Sequence, residues 1–199
     1  MLKVGLTGSI AVGKSYVARI FRSLGAFVVD ADKTAREVVA PETGGWQLIV
    51  EQFGNNILQP NNEIDRIKLG AIVFANETKR QLLNSIVHPL VIEAQDEWLR
   101  ERAAENPHGI AIVDAALMIE SGGYRRFDKL IVVWCEAEIQ LQRLMTRNDL
   151  TEEEAAKRIN AQMPQEEKKH YADFTIDTSE SFDRTREQTI KIFEELKLL

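Results

Sequence analysis

Only one cysteine, Cys135, occurs in the 199 residues, so no internal disulfide can form and a reducing compartment is expected. It follows the apolar run Leu130–Trp134 and reads as a semi-buried structural thiol. The three histidines, His88, His108 and His170, share no metal-ligand spacing with one another or with the cysteine, which argues against a transition-metal site. No window approaches the roughly 18 apolar residues of a membrane span. The apolar opening stretch is interrupted by Gly5, Gly8 and Gly13 and lacks a small-residue cleavage pattern, so the expected location is the cytoplasm, without a membrane partner. A basic excess is also missing. The net charge of −6 argues against a nucleic-acid partner. Residues 1–40 nevertheless hold six Lys/Arg against three acids, a local +3 that leaves −9 for the rest. A positive site on an acidic chain suits a small anionic ligand better than a polymer.

The length allows one well-cored domain with a small insertion. Short apolar runs at 2–7, 27–29, 110–114, 129–134 and 173–176 read as strands. Helical periodicity separates them at 14–24, 33–39, 137–147 and, at the end, 182–197. Thr151 to Glu154 forms a capping-box start, and Gln162-Met163-Pro164 breaks the helix that follows. Between 42 and 105 helical segments are expected at 44–53, 65–75, 77–86 and 89–105, with His88-Pro89 separating the last two because a residue before proline is pushed out of the helical region. Strands alternating with helices predict an α/β fold with a parallel sheet and right-handed crossovers.

The sequence Gly8-Ser9-Ile10-Ala11-Val12-Gly13-Lys14-Ser15 matches G-x-x-x-x-G-K-[ST], between an expected strand and an expected helix. This spacing lets successive backbone N–H groups face a triphosphate, with the helix N-terminus behind them. Lys14 is expected to reach the β/γ-phosphates and Ser15 to take a Mg²⁺ position. No N/T-K-x-D base-reading motif of a GTPase is present. Ile110–Asp114 resembles a Walker-B run, whose Asp114 either holds Mg²⁺ through water or simply ends a strand.

Asp30 and Asp32 lie at the end of the second expected strand, where open α/β sheets bind ligands. Were the chain extended there, both would face one side. Asp32 is the candidate base for an acceptor hydroxyl, and Asp30 either contacts substrate or caps the next helix. Arg143 and Arg147, four apart on an expected helix, share a face suited to a cationic lid over a phosphoryl group. Lys168-Lys169 reads as a solvated pair, and His88 as a structural residue or a substrate contact.

With these residues in view, the chain resembles the bacterial dephospho-CoA kinases over nearly its whole length. The matching segments are GLTGSIAVGKS (5–15), VVDADKTAREVV (28–39), IVFAN (72–76), LLNSIVHPLV (82–91), ALMIES (116–121), QLQRLMTRN (140–148), INAQMP (159–164) and ADFTID (172–177). The resemblance implies ATP-dependent phosphorylation of the ribose 3′-hydroxyl of dephospho-CoA, the last step of coenzyme A synthesis, with Mg²⁺. It implies a P-loop nucleoside/nucleotide-kinase-like three-layer fold with a five-stranded parallel sheet, a core of 1–41, 107–137 and 171–199, a helical CoA-binding insertion at 42–106, and a lid at 138–170. Among the site residues, Asp32, Lys14 and Arg143 would be catalytic, Arg143 near the transferring phosphate. Residues Gly8 to Tyr16 and Arg147 would bind ATP, and Asp30, Arg36, His88, Leu117 and Glu120 the acceptor. Ser15 would bind Mg²⁺, with Asp32 or Asp114 acting through water. A monomer or weak homo-oligomer is expected.

Three departures from the family pattern stand out. Ser9, Ala11, Val12 and Tyr16 replace the usual residues of G-G-I-G-S-G-K-[ST]-T, Ala116 stands where a proline is usual, and the late I-D-N reads Ile176-Asp177-Thr178. The competing readings are a kinase for another nucleoside or nucleotide, and a nucleotide-binding regulator without turnover.

Overall fold

Strand β1 (Leu2–Thr7) buries four consecutive residues, Val4 to Thr7. Both β3 (Ile110–Asp114) and β4 (Lys129–Trp134) carry similarly continuous buried runs. Such strands suit a sheet covered on both faces, where alternation gives way to uniform apolarity. The computed structural model describes residues 1–199. With β2 (Phe27–Asp30) and β5 (Phe174–Asp177) the sheet has five strands in the order β2-β3-β1-β4-β5. Pairings β1–β3, β1–β4 and β4–β5 are parallel. All five strands fall within about a residue of the positions expected from sequence.

Two compact units divide the chain: residues 1–29 with 101–199, and residues 30–100. In the first, α1 (Lys14–Ser23) packs against α9 (Phe182–Leu196), and both cover the sheet. Val17, Phe21, Ile192 and Leu196 meet Val4, Leu6, Ile131 and Ile176 in one core. Burial of Phe21 alone contributes about 2–3 kcal/mol. This unit also contains α6 (Ala137–Asn148), α7 (Glu152–Asn160) and α8 (Gln165–Lys169). Thr151 and Glu154 form the reciprocal capping box that opens α7.

The second unit is helical. It holds α2 (Ala31–Glu37), α3 (Gly44–Phe53), α4 (Arg66–Ala75) and most of α5 (Glu77–Glu105). Ile49, Ile57, Ile64 and Leu69 form its buried centre, with Trp46, Leu83, Ile86 and Val87 packed around them. It begins at Asp30, earlier than the insertion expected at 42.

The break expected at His88-Pro89 does not occur, because α5 runs through Pro89. Interior proline costs a helix about 3 kcal/mol through its missing N–H and its ring clash. Here the apolar anchors Leu83, Ile86 and Val87 just before it, and Leu99 after it, hold both halves in place.

Candidate active site

The phosphate loop lies between β1 and α1, at the carboxyl end of a central strand. Gly8 approaches the sheet so closely that a Cβ there would collide with the Val133 carbonyl oxygen. Gly13 takes the left-handed conformation at φ 85° as the cap residue of α1. Ala11 also sits at positive φ, 63°, an angle more costly for alanine than for the glycine expected in many such loops. No side chain caps α1 and no acid occupies its first turn. Its leading N–H groups and partial positive charge therefore remain available to an anion. Lys14 pairs with Asp114 at the end of β3, both largely buried. Asp114 thus does more than terminate a strand: it holds the P-loop lysine. Ser15 is exposed in the first turn of α1.

Side chains of α6 to α8 grip this loop. Gln162 Oε1 accepts from the Ile10 N–H at 2.8 Å, and Gln140 Nε2 donates to the Ile10 carbonyl at 2.8 Å. Gln165 donates to Gln140 at 2.8 Å and brackets both backbone groups of Cys135. Burial pushes the Cys135 thiol up from its ordinary value, and the nearby Arg143 charge only partly opposes this. Lys168, expected to be solvated, is fully buried instead. Its ammonium donates to Glu120 at 2.8 Å and to the Ala116 carbonyl at 3.2 Å, joining α8 to the segment after β3.

Arg143 donates to Thr178 twice, from Nη1 to Oγ1 at 3.0 Å and from Nη2 to the carbonyl at 2.7 Å. It lines a cavity of about 280 Å³ together with Gly13, Tyr16, Thr178, Glu180, Ser181 and Phe182. Tyr16 and Phe182 meet edge to face at 4.9 Å between ring centres. Arg147, one turn further along α6, is exposed and bonded to Asn148.

Asp30 and Asp32 do not lie on one extended segment, as their spacing had allowed. The strand ends at Asp30, whose carboxylate caps α2 by accepting from the N–H groups of Asp32 and Lys33. Asp32 and Arg36 are exposed on α2, and His88 is exposed on α5. Leu117 is exposed after β3, while Glu120 is engaged with Lys168 and the Met163 N–H.

The geometry is that of a nucleotide-phosphate site, and comparison with known proteins decides the family. A model of the family described as dephospho-CoA kinase matches residues 2–183. The chain belongs to this family. It is 47% identical over 196 residues to a dephospho-CoA kinase of Geobacillus kaustophilus, covering 98% of this chain and 96% of that one. A solved dephospho-CoA kinase from Campylobacter jejuni superimposes with a TM-score of 0.75 at 32% identity, covering 98% and 97%. The structure of TT1252 from Thermus thermophilus superimposes with a TM-score of 0.82 at 27% identity, covering 98% and 96%. As a member of this family the chain is a kinase with the P-loop α/β fold expected from its sequence. The matched span includes every residue named above as a site candidate.

Sequence reasoning passed over Gln140, Gln162 and Gln165, which bond the phosphate loop and one another, read Lys168 as solvated, and noted Thr178 only as a departure from the family pattern. The glutamines carry no charge and fit no metal or nucleophile pattern, so only their contacts reveal them. A signal did exist at Thr178, because the family's usual asparagine is replaced there.

Proposed function

We propose that this chain transfers the γ-phosphoryl group of ATP to the ribose 3′-hydroxyl of dephospho-CoA, giving coenzyme A and ADP. Family membership over residues 2–183, on a chain whose phosphate loop keeps its lysine and its uncapped helix, carries this reading. Phosphoryl transfer asks a protein mainly for positioning and for charge stabilisation, and the residues divide along those lines.

The backbone of Gly8 to Tyr16 cradles the triphosphate, and the Lys14 ammonium, held by Asp114, is shared with the β/γ-phosphates. Arg143 and Arg147 supply further positive charge to the nucleotide from α6. Asp32 accepts the proton of the acceptor hydroxyl. Its exposed carboxylate is not spent on capping, because Asp30 performs that task. Asp30, Arg36, His88, Leu117 and Glu120 are the proposed acceptor contacts, and residues 42–106 the proposed CoA-binding insertion.

No three His, Cys, Asp or Glu side chains gather into a metal cage. That suits Mg²⁺, which keeps several waters and is held by one or two protein groups plus phosphate oxygens. The exposed Ser15 hydroxyl fits as its direct ligand, with Asp114 or Asp32 reaching it through water. When bound, Mg²⁺ neutralises charge on the β- and γ-phosphate oxygens. ATP and dephospho-CoA are the proposed partners, with a cytoplasmic location and a monomer or weak homo-oligomer.

Replacing Asp32 by Asn tests the assignment of the base. We expect kcat to fall by about 10²–10⁴ while ATP affinity is retained within about twofold. A kcat close to that of the parent would remove Asp32 from the proton transfer.

A further inference from the structure

Arg143 is a cation without a carboxylate partner. It donates to Thr178 through a neutral hydroxyl and a carbonyl, and the buried Cys135 thiol lies beside it. Three arginines are paired with acids, Arg80 with Glu77, Arg102 with Glu105 and Arg184 with Glu187, whereas Arg143, like Arg22 and Arg147, donates to neutral acceptors. An arginine held only by neutral acceptors keeps its full charge and its planar faces available to a ligand. This one lines the 280 Å³ cavity whose other walls include the Tyr16 and Phe182 rings, the P-loop residue Gly13 and Glu180, a carboxylate that pairs with Arg184 rather than with Arg143.

Thr178 is itself tightly held. It is 5% exposed, and its Oγ1 donates to the Val12 carbonyl at 2.7 Å while accepting from Arg143. Its backbone N–H donates to the Trp134 carbonyl at the end of β4. The same side chain packs against Gly13, where an added Cβ would lie 3.4 Å from Oγ1. One residue therefore bonds both the guanidinium and the carbonyl that precedes Gly13 and Lys14.

We propose that Thr178 is a positioning residue for the nucleotide: its hydroxyl and carbonyl aim the Arg143 guanidinium into the cavity beside the phosphate loop, in register with the P-loop backbone. This rests on the kinase reading, in which the cavity serves ATP. Valine at 178 keeps the shape and removes the hydroxyl. Serine keeps the hydroxyl.

The test is ATP affinity by titration calorimetry on the full chain, for Thr178→Val, Thr178→Ser, Arg143→Ala and the Thr178→Val/Arg143→Ala double variant. Thr178→Val removes the hydroxyl's bonds to Arg143 and to the Val12 carbonyl, and loss of the one to the charged group predicts ATP binding about tenfold weaker. Thr178→Ser should stay within about twofold of the parent, and in the Arg143→Ala background the valine should add clearly less than it does alone, the remainder being its lost bond to Val12. Should Thr178→Val fail to fold, Thr178→Ala replaces it with the same expectations. Parental affinity in the valine variant, a serine variant as weak as valine, or a full additive penalty without Arg143 would each overturn the proposal. The titration contains no acceptor, so this failure is distinguishable from failure of the dephospho-CoA reading, which appears only in turnover.

Discussion

Removing Glu120 should destabilise the protein more than removing Glu120 and Lys168 together. Lys168 is fully buried, its ammonium 2.8 Å from the Glu120 carboxylate and 3.2 Å from the Ala116 carbonyl. At an effective dielectric of 20 the pair attracts by about 6 kcal/mol, against a desolvation penalty of several kcal/mol for the lysine. The intact pair therefore contributes little net stability, but breaking it from one side does not. Glu120→Ala leaves a buried ammonium with one carbonyl, at a cost of about 2–3 kcal/mol, below the usual 3–5 because the Glu120 side chain is 22% exposed and water can enter. Lys168→Met leaves a carboxylate that can rehydrate, at a cost of about 1–2 kcal/mol. The Glu120→Ala/Lys168→Met variant should be more stable than Glu120→Ala by about 1 kcal/mol. Urea unfolding followed by far-UV circular dichroism measures all three. If the double variant is the least stable, the pair is not the buried-cation problem described here.

Two further outcomes follow from local geometry. Ala11→Gly relieves a left-handed alanine and should stabilise the fold by about 0.5–1 kcal/mol after the added flexibility of the unfolded chain, read as a higher thermal midpoint. The Glu154 carboxyl is held below its ordinary range by hydrogen bonds from the Thr151 backbone and side chain. Its contribution is therefore present above the unfolded carboxylate range near pH 4–5 and is lost as pH falls through the lower folded value. Glu154→Gln should flatten that part of the acid-unfolding profile relative to the parent, and an unchanged profile would contradict the capping-box account.

Much of the fold was legible because local and tertiary preferences agree. The P-loop at 8–15, the five apolar strands and the Thr151 capping box each carry their instructions within a few residues. Pro89 was misread because its local rule is outweighed by the packing of Leu83, Ile86 and Val87, which no short window contains. Lys168 was misread for a related reason, since its partner Glu120 lies 48 positions away and only the fold joins them. At Asp30 and Asp32 the expectation depended on where the strand stopped, and the Asp30 cap moved that boundary. Arg143 was singled out as a lid arginine from its spacing with Arg147, but its bonds to Thr178, 35 residues further on, lie outside any local window.

The reaction proposed for this chain is phosphoryl transfer from ATP to the 3′-hydroxyl of dephospho-CoA. Its most direct measurement is ADP release with Mg²⁺-ATP and a panel of acceptors, namely dephospho-CoA, nucleosides and nucleoside monophosphates, with the product identified by phosphorus NMR. Robust turnover with dephospho-CoA alone and a new phosphomonoester at the ribose 3′ position are expected. No turnover of dephospho-CoA beside robust phosphorylation of another acceptor would contradict it.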